Sequence, residues 1–393
     1  MSEWKVLTAE DFCDSVRDGT HDTPKQVECG YKLVTAKHIS NGQIDLSDAY
    51  LISESDYLKI NERSKVERWD VLMSMIGNGL GKSAVVKDNP QYAIKNLALF
   101  KIGDETRAKG LHYYLSSNKG QGFIYNSLQG SGQPFISLSL LRKFPIPVPD
   151  DEKIMRKVVA TLSRYDSLIE NYQKQIKLLE EAAQRLYKEW FVDLHFPGHE
   201  NTKIVDGVPE GWEKKRLSDI ANIIMGQSPK SEFYNTEGDG IPFHQGVGSY
   251  GYRFVVDNVY STSFTRIAEP NSILFSVRAP VGRLNITKNK IVIGRGLASI
   301  NHKMGYQSYL YYLLKEKFFK DNIIGNGAIF ASISKDELYN LVFFIPSDEI
   351  VKRYDAIANK IDKNIQYVDS QIRLLTEARD RLLPKLMGGE IAV

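Results

Sequence analysis

The sequence has very little cysteine: Cys13 and Cys29 are the only two in 393 residues. Two cysteines cannot build a disulfide framework, and a cysteine-based metal site would need more ligands. The seven histidines do not have the spacing of zinc ligands. We therefore expect no disulfide-stabilised secreted fold, no metal centre and a location in the reducing cytoplasm.

Long apolar runs and strong net charge are also missing. No run approaches the length that spans a membrane, and Met1–Lys5 lack the apolar core of a signal peptide. A net charge of +3 neither requires nor forbids a nucleic-acid partner. The charge is uneven, however, because seven basic residues and one acid, Glu269, lie between Arg266 and Lys303. This stretch indicates either a surface that faces a polyanion or an ordinary solvated edge.

No catalytic constellation is present. The segment Met75–Ser83 ends in Gly-Lys-Ser, but Gly77 is one residue too close to it for a phosphate-binding loop. Asn89-Pro90-Gln91-Tyr92 is similar to the Asn-Pro-Pro-Tyr of amino-methyltransferases, yet no glycine-rich cofactor loop precedes it. Serine and cysteine nucleophile motifs are absent. We expect a chain without catalytic residues, and a DNA methyltransferase with a weak cofactor site of its own is the alternative.

The chain does contain a long heptad pattern that occurs twice. Between residues 154 and 190 apolar side chains recur at alternating steps of three and four, which is typical of a coiled-coil helix. The pattern returns 196 residues later, with identities such as Asp166/Asp362 and Leu178/Leu374. One apolar seam cannot bury itself, so we predict that the two helices pack against each other. The predicted core of the pair is Ile169, Ile176, Leu179, Leu186, Ile365, Ile372, Leu375 and Leu382.

The segments before the two helices are also related to each other. The matches, in chain order, are Trp4/Trp212, Ser74/Ser276, Leu97-Ala98/Leu297-Ala298 and Tyr113-Tyr114-Leu115/Tyr311-Tyr312-Leu313. Matches that keep their order indicate an internal duplication. Short β-rich runs alternate with turns, a helix is predicted around Glu105–Ser117, and Pro145, Pro147 and Pro149 are expected to end the first β region.

We therefore predict an α+β protein with an internal pseudo-two-fold repeat. Two mixed α/β domains are joined by two long helices that form an antiparallel coiled coil. The predicted segments are residues 1–150 (first domain), 151–192 (first long helix), 193–211 (linker), 212–346 (second domain) and 347–393 (second long helix and C-terminal tail).

Polar and basic side chains at the predicted turns are candidate DNA contacts. Such side chains suit phosphate contacts and hydrogen bonds to base edges, although each alone is more often an ordinary turn residue. Arg278 and Arg283 flank the turn that matches Gly77–Lys82 in the first half. The candidates are Thr20, His21, Thr23, Lys37, His38, Asn78, Lys82 and Asn96 in the first domain, and Ser228, Lys230, His244, Gln245, Tyr252, Arg253, Arg278, Arg283 and Arg295 in the second.

With these features the chain resembles the specificity subunit of type I restriction-modification enzymes. The resemblance covers the whole chain: a target-recognition domain, a spacer helix, a second target-recognition domain and a second spacer helix. The short motifs that carry it are Asp18-Gly19-Thr20-His21-x-Thr23-Pro24, Gly226-Gln227-Ser228-Pro229, the Ile-Pro-Val-Pro before the first helix, Trp190-Phe191, and Leu386-Met387-Gly388-Gly389-Glu390-Ile391.

The resemblance implies a sequence-specific DNA-recognition subunit that holds no cofactor. Each globular domain would read one half of a bipartite, asymmetric target on double-stranded DNA. The helix pair would set the spacer and dock two modification subunits, which use S-adenosylmethionine. Restriction subunits that depend on ATP and Mg would complete the complex. A coiled-coil adaptor that does not bind DNA is a further alternative.

Overall fold

The computed structural model describes residues 4–40, 42–129, 134–318 and 332–391. Its contacts divide the chain into unit 1, which is Met1–Tyr172 with Gln371–Val393, and unit 2, which is Gln173–Ser370. Both boundaries fall inside long helices, so each unit combines a globular part with a piece of each helix. The domain limits predicted from the sequence, which end at the helix ends, stay a prediction.

Two sheets of three or more strands form the framework of unit 1. The first is a four-stranded antiparallel sheet in the order β2-β10-β7-β8, and the second has the order β6-β3-β9 with β3 and β9 parallel. The strands are β1 (Trp4–Thr8), β2 (Ser15–Asp18), β3 (Tyr31–Val34), β4 (Ile39–Ser40), β5 (Gln43–Ile44), β6 (Leu51–Ile52), β7 (Val71–Ser74), β8 (Ser83–Val85), β9 (Tyr92–Ile94), β10 (Leu97–Lys101) and β11 (Pro145–Pro149). The helices are α1 (Ala9–Phe12), α2 (Glu54–Ser64), α3 (Glu105–Ser116), α4 (Asn118–Asn126), α5 (Leu138–Arg142) and the first part of α6 (Glu152–Phe191).

The core of unit 1 lies between its four-stranded sheet and helices. Strand β7 is buried at every position because it packs on both faces. Val158 and Leu162 of α6 belong to this core, together with Leu383 and Leu386 from the second long helix. The predicted helix around Glu105–Ser117 is confirmed as α3.

We expected the three prolines before α6 to end the β region. Instead, they form part of a strand, β11. β11 pairs with β1 in an antiparallel two-stranded sheet. Alternate residues of a strand point their N–H groups to the same side, so prolines at every second position leave Ile146 and Val148 free to pair. The helix then begins at Glu152, where Asp151 accepts a hydrogen bond from the N–H of Lys153 at 2.9 Å.

Unit 2 repeats this topology. Its four-stranded sheet β15-β23-β20-β21 corresponds to β2-β10-β7-β8, and β14-β24 corresponds to β1-β11. The strands are β12 (Ile204–Val205), β13 (Val208–Pro209), β14 (Glu213–Arg216), β15 (Ala221–Met225), β16 (Tyr234–Asn235), β17 (Ile241–His244), β18 (Tyr260–Ser261), β19 (Ile267–Ala268), β20 (Ile273–Ser276), β21 (Leu284–Ile286), β22 (Ile291–Ile293), β23 (Leu297–His302) and β24 (Val342–Ile345). The helices are α7 (Leu217–Ile220), α8 (Gln307–Phe318), α9 (Lys335–Tyr339) and α10 (Asp348–Met387), whose end belongs to unit 1. The predicted mixed α/β repeat is therefore confirmed.

The two long helices contain 40 residues each, within the predicted segments 151–192 and 347–393. Ile169, Ile176 and Ile365 are buried, and their place in the core of a helix pair stays a prediction. Beyond Ile176 the buried face of α6 passes through Glu180 and Tyr187, because Tyr187 packs in an aromatic cluster of unit 2. The predicted core positions that are only half-buried are Leu179, Leu186, Ile372, Leu375 and Leu382.

Candidate nucleic-acid interface

Both units hold the turn after the first strand of the four-stranded sheet in the same way. The N–H of Gly19 donates to the carbonyl of Leu97 at 2.9 Å, and the N–H of Gly226 donates to that of Leu297 at 2.9 Å. These turns carry the motifs that the sequence singled out. Their identical backbone bonds fix the position of the following side chains whatever those side chains are.

Both turns require glycine because neither has room for a Cβ atom. A Cβ at Gly19 would lie 2.3 Å from the carbonyl oxygen of Ile94, and one at Gly226 would lie 2.1 Å from that of Gly294. Both neighbours are backbone atoms, so a side chain could enter only if the strands moved apart. The close approach brings each turn against the loop that leads into β10 or β23.

In unit 2 this close approach assembles three predicted contacts. The backbone N–H of Arg295 donates to the Ser228 hydroxyl at 3.2 Å, and the N–H of Gly296 donates to the carbonyl of Gln245 at 3.1 Å. The side chains of Gln245 and Arg295 are exposed. Ser228, Gln245 and Arg295 therefore lie together, although they are far apart in the sequence.

Arg278 joins this group through the neighbouring backbone. The N–H of Val277 donates to the carbonyl of Gly296 at 2.9 Å, and Arg278 follows with an exposed side chain. We call Ser228, Gln245, Arg278 and Arg295 the unit 2 polar patch. It offers two guanidinium groups and one amide, which are the groups that bind guanine and adenine edges in pairs of hydrogen bonds.

The hairpin turn between the third and fourth strands of the sheet is also repeated. The N–H of Ser74 donates to the carbonyl of Lys82 at 2.9 Å, and the N–H of Ser276 donates to that of Arg283 at 2.9 Å. Lys82 and Arg283 are therefore equivalent, and the predicted match of the two turns is confirmed. Lys82 is exposed and Arg283 is half-buried. Asn78 belongs to the same turn, and its side chain lies outside the described part of the structure.

In unit 1 the predicted turn is ordered by side-chain contacts. His21 bridges Asn96, at 2.8 Å from Nδ1 to Oδ1, and Asp18, at 3.0 Å from Nε2 to Oδ2. Arg63 also binds the Asp18 carboxylate at 3.0 Å. Thr20 is half-buried on the same turn. The structure thus brings together Thr20, His21 and Asn96, which the sequence had only grouped by type.

The remaining exposed candidates lie around these turns. Thr23 accepts a hydrogen bond from Lys95, and Lys37 forms an ion pair with Asp48 at 2.8 Å. Lys230 is exposed, 3.8 Å from the carboxylate of Glu232. Surface ion pairs of this kind are weak and exchange readily for a phosphate contact.

Two predicted histidine contacts are wrong because the side chains are inside the protein. Nδ1 of His38 accepts a hydrogen bond from the N–H of Thr35 at 2.8 Å, and burial lowers the pKa of His38. His244 lies between the Ser249 hydroxyl, at 2.8 Å, and the Asp257 carboxylate, at 3.0 Å. Both histidines are 1% exposed, so they brace the turns and cannot reach DNA.

The prediction that Arg253 contacts DNA directly is also wrong. It is 2% exposed, and its guanidinium binds Glu180 at 3.1 Å and Asp362 at 2.6 Å. The same group lies 3.6 Å from the ring centre of Tyr311. Its neighbour Tyr252, by contrast, is 68% exposed. Arg253 therefore joins the globular part of unit 2 to both long helices.

Asp362 has a structural counterpart in unit 1. The hydroxyl of Tyr113 donates to Asp166, and the hydroxyl of Tyr312 donates to Asp362 at 3.1 Å. In unit 1 the arginine partner is Arg379, at 2.8 Å from Asp166. The sequence match that paired Tyr113 with Tyr311 is therefore one residue out of register. Asp166 and Asp362 are identical residues at matching positions of the repeat. This identity was the sequence signal for the tyrosine–aspartate contact, and the sequence analysis did not recognise it.

The motif that suggested a methyltransferase cofactor site forms part of a sheet. Tyr92 begins β9, which is buried and pairs in parallel with β3. Within the described residues, no three His, Cys, Asp or Glu side chains gather as a possible metal site. None of the described helices is both long and apolar enough to cross a bilayer.

Comparison with known proteins gives a consistent assignment. A sequence profile described as "Type I restriction modification DNA specificity domain" matches residues 1–181 and 209–381. In Methanocaldococcus jannaschii, a chain named as the MjaX type I restriction enzyme specificity subunit is 28% identical, covering 100% of this chain and 94% of that one. The MjaIX type I restriction enzyme specificity subunit of the same organism is 30% identical, covering 72% of this chain and 68% of that one.

A solved structure has the same fold. The S subunit of a type I restriction-modification system from M. genitalium gives a TM-score of 0.55 at 17% identity, and the likeness covers 98% of this chain and 96% of that one. At this identity the likeness concerns the fold alone. The profile, however, matches both halves of the sequence and most of its length. The chain therefore belongs to the type I restriction-modification DNA specificity family, as a non-catalytic subunit that recognises DNA.

Proposed function

We propose that unit 1 and unit 2 each read one half of a bipartite, asymmetric DNA target. The observation that carries this proposal is the repeated framework with different side chains on it. The same backbone bonds hold Thr20 in one unit and Gln227 in the other, and the same hairpin position is Lys82 in one and Arg283 in the other. A shared scaffold with divergent side chains favours two related readers with different base preferences.

In unit 2 we assign base reading to the unit 2 polar patch. Gln245, Arg278 and Arg295 are exposed there, and their amide and guanidinium groups suit base edges in the major groove. In unit 1 we assign base reading to the exposed residues of the two equivalent turns, His21, Thr23 and Lys82. The buried His38, His244 and Arg253 would act by holding the turns and the globular parts in place.

Replacement of Arg278 by alanine tests this assignment. If Arg278 forms paired hydrogen bonds with a guanine, the variant should lose about 1–3 kcal/mol of binding and accept other bases at one position. If it touches a phosphate, affinity should fall evenly across sequences and the salt dependence should decrease by about one charge. Methylation profiling of cells, with duplex binding at several salt concentrations, measures both.

Arg353→Ala is the matched control, since Arg353 is an exposed arginine on α10 outside the unit 2 polar patch. Its methylation profile should equal that of the wild type. In Arg278→Ala the half-site read by unit 1 should be unchanged. Relaxed preference in both half-sites, or no effect on either, would remove Arg278 from the DNA interface.

We further propose that α6 and α10 pair as an antiparallel coiled coil. In unit 1, Arg379 of α10 binds Asp166 of α6 at 2.8 Å. In unit 2, the hydroxyl of Tyr354 near the start of α10 donates to the carbonyl of Ala183 near the end of α6, at 3.1 Å. In unit 2, Arg253 also connects Glu180 of α6 to Asp362 of α10, so later residues of α10 lie beside earlier residues of α6, which supports the proposal.

The same helices would set the spacer between the two half-sites, because both of them run from one unit into the other. Adding one heptad to α6 after Ile169 and one to α10 after Val368 lengthens each helix by about 10.5 Å and preserves the apolar stripe. The methylated target should then contain about three more spacer base pairs, at roughly 3.4 Å each. An active variant with an unchanged spacer would contradict this role.

Docking of two modification subunits is the third part of the proposal. Leu178 and Leu374 are equivalent in the repeat, and both are exposed, at 65% and 49%. Large apolar side chains that stay exposed at equivalent positions favour two equivalent protein contacts. The docked subunits would supply S-adenosylmethionine chemistry, and restriction subunits would use ATP and Mg. All of them would act with this chain in the cytoplasm.

Leu178→Lys and Leu374→Lys are expected to lose one modification subunit each, because a lysine cannot replace the buried apolar contact. Native mass spectrometry of the assembled complex counts the subunits. Glu181→Lys, an exposed change on the same helix as Leu178, serves as the control. Full stoichiometry in the double leucine variant would place docking elsewhere.

A further inference from the structure

An exposed phenylalanine of unit 2 lies beside the turn that carries Ser228. Phe264 is 57% exposed and belongs to the loop 262–266, which connects β18 to β19. A single exposed apolar side chain is ordinary on a protein surface and contributes little to folding. The attachment of this loop to the turn after β15, and the polarity of the residues around the ring, set Phe264 apart.

Two hydrogen bonds hold the loop against the turn that follows β15. The hydroxyl of Thr265 donates to the carbonyl of Gln227 at 2.5 Å. The N–H of Ile293 donates to the carbonyl of Arg266 at 2.9 Å, and the carbonyl of Ile293 accepts the N–H of Gln227 at 2.9 Å. The loop therefore has a fixed place next to the unit 2 polar patch, to which Ser228 belongs. A side chain positioned before binding loses less conformational entropy when it meets a ligand.

The other exposed residues of this loop are polar. They are Thr262, Thr265 and Arg266. Phe233, whose carbonyl accepts the N–H of Thr262 at 3.2 Å, is more buried, with 37% exposure. A surface that docks another protein usually presents a contiguous apolar patch of several hundred Å². Here the ring of Phe264 stands between hydroxyl and guanidinium groups, which are groups that bind phosphate oxygens of DNA.

The equivalent place in unit 1 has a different structure. β6 pairs with β3 as β18 pairs with β17. A Cβ at Gly30 would lie 2.0 Å from the carbonyl oxygen of Ile52. A Cβ at Gly240 would lie 2.1 Å from the carbonyl oxygen of Ser261, which confirms that the two places match. After Ile52, however, the chain enters α2, whose first turn carries two acidic residues. Acidic side chains repel phosphates, so Phe264 and its polar neighbours are a feature of unit 2.

A rigid apolar side chain can act on DNA by entering between two base pairs. Entry unstacks the two pairs, kinks the duplex by about 20–90° and brings it onto more of the protein surface. Pyrimidine–purine steps unstack most easily. A wedge of this kind therefore distinguishes sequences without forming a hydrogen bond to any base.

We propose that Phe264 inserts between two base pairs at the edge of the half-site that unit 2 reads. Thr262 and Arg266 bind the phosphates on either side of the opened step. Phe264 thus selects a pyrimidine–purine step that the unit 2 polar patch does not contact. This inference rests on the proposed reading role of unit 2 and extends it from base edges to the deformability of the duplex.

Fluorescence of 2-aminopurine tests the insertion, because stacking quenches this base analogue. Duplexes that contain the target found by methylation profiling carry the analogue in turn at each position of the unit 2 half-site and its flanks. Binding of the full-length chain should brighten the analogue at one step, and Phe264→Ala should abolish this brightening. Phe264→Leu retains an apolar wedge and should keep part of it.

The affinity for the same duplexes gives an independent measure. Phe264→Ala should bind the target roughly 5- to 150-fold more weakly, as for the loss of one stacked base. A mismatch at the brightened step weakens its stacking in advance, so it should strengthen binding by the wild type and leave Phe264→Ala unchanged. Phe344→Ala is the matched control, since Phe344 is 50% exposed on β24, outside the four-stranded sheet, and this variant should bind like the wild type.

Phe264 is on the surface, so the fold does not depend on its ring. Brightening that Phe264→Ala leaves intact, or an affinity equal to that of the wild type, overturns the proposal. If Phe264→Ala binds DNA normally and loses a modification subunit in native mass spectrometry, the loop is a protein contact and the proposal is also overturned.

Arg278→Ala, measured on the same duplexes, separates the insertion from the reading role. A changed base preference in Arg278→Ala together with no effect of Phe264→Ala retains the reading role and removes the insertion. Loss of brightening in Phe264→Ala together with no effect of Arg278→Ala supports the insertion and assigns the reading of bases to other residues. No effect of either variant removes both.

Discussion

Arg253→Met is expected to lower the free energy of unfolding of unit 2 by about 3–5 kcal/mol. Arg253 is 2% exposed and neutralises two carboxylates, Glu180 of α6 and Asp362 of α10. Methionine matches much of its volume, so the loss would come from the unpaired carboxylates and less from a cavity. Hydrogen exchange should show weakened protection in unit 2, and urea unfolding measures the total.

A compensated variant distinguishes the loss of charge balance from a packing defect. Arg253→Met combined with Glu180→Gln and Asp362→Asn removes all three charges and should recover a large part of the stability, because whole buried ion groups can be replaced at little cost. A triple variant as unstable as the single one would show that the shape of Arg253 on Tyr311 matters more than its charge. A single variant that loses less than about 1 kcal/mol would contradict the prediction.

Tyr354→Ala is expected to lower the free energy of unfolding of unit 2 by about 3–5 kcal/mol, as for other buried aromatic truncations. Tyr354 is fully buried, and its ring lies 5.7 Å from that of Tyr187, 5.9 Å from that of Trp190 and 5.1 Å from that of Phe191. These rings join the start of α10 to the end of α6. Thermal unfolding followed by tryptophan fluorescence reports on the cluster through Trp190.

Two controls divide this loss into its parts. Tyr354→Phe retains the ring and loses only the hydrogen bond to the carbonyl of Ala183, which should cost about 1 kcal/mol. Val158→Ala removes the fully buried residue at the equivalent position of unit 1, and it should cost less because fewer atoms leave the core. Equal losses for Tyr354→Ala and Tyr354→Phe would refute the packing argument.

Periodicity explains which parts of the fold could be predicted from the sequence. The two long helices, α3 and the repeated hairpin were found because heptads, turn residues and ordered matches leave regular signals in one dimension. The β11 strand was missed because proline is read as a break, although at alternate positions it is compatible with an edge strand. The buried face of α6 continues from Ile176 to Glu180, and this was missed because a glutamate in a heptad pattern is usually assigned to the solvent-exposed face.

The candidate site was harder to predict because residue type does not reveal burial. His244 and Gln245 are adjacent, yet the first is buried between Ser249 and Asp257 and the second is exposed in the unit 2 polar patch. Tyr252 and Arg253 show the same contrast. The buried member of each pair has a distant partner, Asp257 or Asp362, and no local pattern gives the distance between such residues.

The place of the α10 end in unit 1 has a consequence for how the protein is made. Leu383, Leu386 and Met387 belong to the core of unit 1, and the backbone at Gly389 is close enough that a Cβ would lie 2.6 Å from the indole nitrogen of Trp4. When translation of unit 2 is complete, the C-terminal segment that completes the core of unit 1 has therefore not yet been synthesised. Unit 2 is a continuous stretch of chain and can fold during synthesis. The N-terminal part of unit 1, which is synthesised first, has an incomplete core until the end of α10 is made. A premature stop after residue 370 would thus damage the half of the protein that was translated first.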